Sequence, residues 1–137
     1  MPKGNLQAVL QTPLLVQPLY SNGKPHHVTL QYKVERKAWK HLEGREFEVV
    51  TTHLCWNDRI EAIAVQLPEW VPCCNKHPHI TVSWIDGAAP VESNRMLAGQ
   101  HNALEFNTRV SVRIEFKERR PKWWRFISSL LQKLITD

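Results

Sequence analysis

His27-Val28-Thr29-Leu30-Gln31-Tyr32 and His79-Ile80-Thr81-Val82-Ser83-Trp84 are two versions of one pattern, set 52 positions apart (79 − 27). Each reads His, β-branched aliphatic, Thr, aliphatic, polar residue, aromatic. Such residues favour strands, and side chains alternate across a strand. His27, Thr29 and Gln31 therefore share one face, with Val28, Leu30, Tyr32 and Val34 on the other. His79, Thr81 and Ser83 separate from Ile80, Val82 and Trp84 in the same way. Two strands with apolar backs and His/Thr fronts can bring two imidazoles and two hydroxyls into one cleft. Alternation also sends Tyr32 and Trp84 towards the core and puts Gln31 and Ser83 on the lining of the site.

Outward from the pair, the pattern is mostly strand. Residues 6–16 are apolar but broken by Pro13, which predicts an edge strand or two short pieces. Residues 21–25 are turn-forming. Good helix formers at 35–42 precede Gly44, which predicts a short helix. Residues 46–56 and 59–67 flank Asn57-Asp58 and predict a hairpin. A proline-bounded loop at 72–78 leads into the second motif, a short helix is expected near 92–98, and the last strands lie at 103–106 and 109–116. Residues 123–135 are helical in period, with Trp123, Ile127, Leu130 and Leu134 on one stripe. About seven strands and two or three helices make an α+β architecture. The expected organisation is one domain over 1–120 with an amphipathic helix over 121–137 packed on it.

The 137 residues are enough for one buried core, and the net charge of +5 with a pI near 9.3 suits an anionic partner such as nucleic acid or a phosphate ester. No signal peptide is read at the amino terminus, and no run approaches the roughly 20 apolar residues that cross a bilayer. The three cysteines are odd in number and two are adjacent. Reduced thiols, a cytoplasmic location and no membrane partner are expected.

The chemistry has a reason to need both motifs. Cleaving a phosphodiester in line requires a base on the attacking oxygen and an acid on the leaving oxygen. Imidazole suits both tasks, and Thr hydroxyls can hold the non-bridging oxygens. The paired motifs resemble those of the two-histidine (2H) phosphoesterase superfamily, most closely the cyclic phosphodiesterase domain of fungal and plant tRNA ligases. The residues that carry the likeness are HVTLQY at 27–32, EVVTTHLCWNDRIEAIAVQLP at 48–68 and HPHITVSWIDGAAPVESNRML at 77–97. The resemblance implies a LigT-like fold, with two-lobed, pseudo-symmetric antiparallel sheets around a central cleft and few helices. It implies His27, Thr29, His79 and Thr81 as the catalytic set and no metal or other cofactor. The substrate implied is a nucleotide or oligoribonucleotide, with RNA as a partner. Two versions stay open: 2′,3′-cyclic phosphates or 2′-5′/3′-5′ linked ribonucleotides in RNA processing, and cyclic or 2′-5′ immune messengers degraded by a viral or phage enzyme. A non-catalytic RNA- or nucleotide-binding module is the competing class.

Four further residues are candidates for substrate binding: Gln31 and Ser83 by strand alternation, Arg95 at a helix after the second motif, and Trp124 in the tail as a base-stacking group. The tail helix has three readings: docking on the back of the sheet, covering the cleft with a tryptophan, or lying on a membrane surface. Cys73, Cys74, His77 and His79 match no standard zinc spacing. His26 and His77 are read as exposed flanks of the motifs, and His41, His53 and His101 as structural or exposed.

Overall fold

The computed structural model describes residues 3–119 and 122–136; the side chains at 122–125, 128 and 136 lie outside the described set. The described residues form seven strands: β1 (Lys3–Leu10), β2 (His27–Glu35), β3 (Glu46–Trp56), β4 (Ile60–Gln66), β5 (His79–Trp84), β6 (Asn102–Glu105) and β7 (Arg109–Glu118). The described helices are α1 (Arg36–Trp39), followed by a 3-10 turn (Lys40–Leu42), α2 (Glu92–Ala98) and α3 (Lys122–Thr136).

The strand order is β4-β5-β2-β1-β7-β3, and β3 pairs back to β4. Every pairing is antiparallel. Six strands thus close into a barrel, which removes the exposed sheet edges that would invite aggregation. Val50 of β3 pairs with Gln66 on one side and Arg109 on the other, so β6 and β7 share one flank of β3. The protein is mostly β, with fewer helical residues than an α+β architecture leads one to expect. The pairings run as one closed sheet, and two lobes around a cleft are not seen in them.

The barrel interior holds Leu6, Ala8, Val28, Leu30, Ile63, Val65, Ile80, Val82, Val110, Val112 and Ile114, all buried. Full burial of an aliphatic side chain of this size contributes about 1.5–3 kcal/mol. A smaller cluster of Cys55, Ile60, Ala62, Met96 and Leu97 lies between α2 and the outside of β3 and β4. The two motif strands are neighbours, and His27, Thr29, His79 and Thr81 face outwards, on the side that carries α2.

β1 begins earlier and ends sooner than the apolar run of 6–16 predicts. Pro13 and Pro18 lack the N–H a ladder needs. The following segment straps across β4 and β5 instead. The Leu19 amide donates to Glu61 Oε1 at 3.0 Å, the Tyr20 amide to Ser83 Oγ at 3.2 Å, and Asn22 bridges to Trp84. The Tyr20 hydroxyl donates to the Asn57 carbonyl. In α3 the described apolar side chains Phe126, Ile127, Leu130, Leu131, Leu134 and Ile135 are exposed. No helix among the described residues is long and apolar enough to cross a membrane.

Candidate active site

Val28 of β2 pairs with Ile80 of β5. Each is the second residue of its motif, and both point into the barrel. The outward neighbours then form a square on the surface, with His27 beside Thr81 and Thr29 beside His79. The imidazoles take opposite corners and the hydroxyls the other two. Diagonal partners of this kind are about 7–8 Å apart at Cα.

His79 is 6% exposed, and its Nδ1 donates to the His77 carbonyl at 2.8 Å. That bond fixes the ring and leaves Nε2 as the acceptor in the neutral form. Burial lowers the His79 pKa, and the carbonyl bond works against it. His27 is held at both nitrogens: Nε2 lies 3.2 Å from Gln7 Nε2, and Nδ1 lies 2.9 Å from His26 Nδ1. Its pKa is lowered to about 4, mainly by burial, with smaller contributions from His26, Lys117 and His79. Both rings rest neutral near pH 7 and gain basicity when an anion approaches.

The hydroxyls and backbone are also positioned. Thr81 Oγ1 shares a 2.9 Å hydrogen bond with Ser93 Oγ, which is fully buried on α2. The loop before β5 crosses β2: the Cys74 amide donates to the Leu30 carbonyl at 2.9 Å, and Asn75 Nδ2 donates to the Thr29 carbonyl at 3.4 Å. One loop thus ties β2 and also presents the carbonyl that orients His79.

The other expected lining residues fare differently. Gln31 is half-buried on β2. Ser83 is fully buried, and its hydroxyl donates to Glu61 Oε1 at 2.7 Å, so it anchors the strap. Arg95 is exposed on α2, whose buried residues are Ser93, Met96 and Leu97. Those three turn towards the barrel and Arg95 away from it. The Trp124 side chain lies outside the described residues. Tyr32, expected in the core, is 39% exposed. The β1–β2 ladder shifts register around Leu6, and Lys33 has φ +50°, so alternation fails just past Leu30. Trp84 is partly buried and packs over Gly23.

Gln7, His26 and Ser93 are partners of the motifs that no local pattern reveals. Gln7 interrupts the buried pair Leu6 and Ala8, which marks it as outward-facing, but its neighbour follows only from the pairing of β1 with β2. Among the described residues, no group of three or more His, Cys, Asp or Glu side chains could hold a metal ion.

The family model for the fungal tRNA ligase phosphodiesterase domain matches residues 19–120. The chain belongs to this family. The match spans both motifs and every strand except β1, and it leaves α3 outside. No curated protein matches the chain. The family is one of phosphodiesterase domains, which supports an enzymatic reading and implies action on RNA ends that carry a 2′,3′-cyclic phosphate.

Proposed function

We propose that this protein opens the 2′,3′-cyclic phosphate at an RNA end to a phosphomonoester, using His27 and His79 as acid and base without a metal ion. The observation that carries the reading is the Val28–Ile80 pairing, which puts the imidazoles at opposite corners and the hydroxyls at the other two. A phosphorus held over the centre has a histidine on each side, the arrangement an in-line displacement needs. Thr29 and Thr81 then face the non-bridging oxygens.

His79, with Nδ1 committed to the His77 carbonyl, has the acceptor Nε2 a base requires. It takes a proton from water as the oxygen attacks phosphorus. His27 is the acid, and it protonates the ribose oxygen as that P–O bond breaks. The anionic phosphate raises the His27 pKa against the burial that lowers it, so the ring acquires its proton when substrate binds. Two imidazoles thus account for both proton transfers.

The family match favours RNA ends. The test is turnover of a nucleoside 2′,3′-cyclic phosphate and of an RNA ending in one, with and without EDTA. Turnover that survives EDTA is expected. No turnover of either substrate, or its abolition by EDTA, overturns the proposal.

A further inference from the structure

His53, Lys76, His77 and His101 surround a cavity of about 400 Å3, with Cys55 and Ala64 on its floor. The sequence scatters these histidines over nearly fifty positions (101 − 53); the barrel gathers them. Ala64 pairs with His79 on one side and with His53 on the other. His79 and His53 therefore stand in one cross-strand row on the outer face, two strand spacings or about 9–10 Å apart at Cα. His77 joins the two regions, since its carbonyl orients the His79 ring.

Val65, Pro78, Leu97 and Ala103 make part of the wall apolar, and the polar part suits an anion. Lys76 brings a full positive charge and three donors. The imidazoles add N–H groups, and His101 is held in place by a 3.0 Å bond from its Nδ1 to the Gly99 carbonyl. Glu105, paired with His53 from β6, is exposed and does not line the cavity. These side chains are not grouped to hold a metal ion.

We infer that this cavity receives the backbone phosphate on the 5′ side of the terminal nucleotide. The inference rests on the cyclic-phosphate chemistry at His27 and His79, one nucleotide away. It makes the protein a reader of RNA ends, with a lone nucleoside cyclic phosphate filling only half of the site.

Lys76→Ala and His53→Ala test it against two substrates, a nucleoside 2′,3′-cyclic phosphate and a short RNA with the same terminus. KM for the RNA is expected to rise about tenfold more than KM for the nucleoside, the scale of one charge-assisted contact. An equal rise on both substrates, or none, overturns the inference. Binding of the same RNA to His27→Ala protein, followed by fluorescence anisotropy, separates this outcome from failure of the chemistry. There Lys76→Ala should weaken binding by about tenfold whether or not the parent protein turns over. Unaltered anisotropy affinity overturns the cavity assignment.

Discussion

Val28 pairs with Ile80 across β2 and β5, and both side chains are fully buried. An antiparallel pair has a local two-fold axis, and here it exchanges His27 with His79 and Thr29 with Thr81. The pseudo-symmetry implied by the duplicated motif therefore survives at one strand pair, although the sheet closes as a single barrel. Because a one-residue slip turns every side chain to the other face, burial of Val28 and Ile80 also fixes the outward aim of the histidines.

Replacing either histidine removes one proton transfer while leaving the apolar face intact. His27→Ala and His79→Ala should each lower kcat on a nucleoside 2′,3′-cyclic phosphate by at least about a hundredfold. Circular dichroism should show the parental fold in both. Near-parental rates in the two variants would remove the acid/base assignment.

Ser93 acts on the site through Thr81. Its hydroxyl is buried and lies 2.9 Å from Thr81 Oγ1. Ser93→Ala should cost about 1 kcal/mol of stability and also lower kcat several-fold, since the Thr81 hydroxyl loses the partner that orients it. Steady-state kinetics beside a denaturant melt separate the two effects. A stability loss with kcat and KM unchanged would reduce Ser93 to a packing residue.

The motif faces were legible because alternation is a local property, and residues 27–30 and 79–82 keep it. Tyr32 departs from the expected core position because the bulge that breaks alternation is set by β1, a partner the β2 sequence does not reveal. Ser83 pairs with Glu61 past a register shift in the β4–β5 ladder and is covered by the strap at 19–22, and no local pattern announces that contact. The helix at 92–98 follows from its own residues, whereas its contact with Thr81 depends on packing. Barrel closure was the least legible feature, since it follows from β3 pairing on both flanks.

Gly23 is constrained twice over. Its φ is +89°, and a Cβ there would lie 2.2 Å from Trp84 Cζ3. Gly23→Ala should destabilise by more than about 2 kcal/mol, combining backbone strain with a clash against the ring. Gly44→Ala is the control, since its φ is +86° but nothing lies within 4 Å of its Cβ position. It should cost about 1 kcal/mol. Equal losses in the two variants, measured by urea denaturation, would rule out the close approach of Trp84 as the constraint.

Stability should fall on mild acidification because His27 is buried neutral. Its folded pKa is about 4 against 6.5 for the free side chain. Above pH 6.5 both states hold a neutral ring and the group contributes no pH dependence. As pH drops below 6.5 the unfolded chain takes up the proton first, so stability declines until about pH 4 and then levels off. His79, also lowered by burial, acts in the same direction. The His27 share is at most about 3 kcal/mol, less whatever solvent screens at its exposed edge. Glu92 works in a separate window: its hydrogen bond from Arg59 holds its pKa at about 2 against 4.5, so its support is lost only as pH falls through that lower range. Denaturant midpoints for the parent and His27→Asn between about pH 7 and pH 4 test the assignment. The parent should lose stability more steeply than the variant, and parallel curves would show that His27 is not the group responsible.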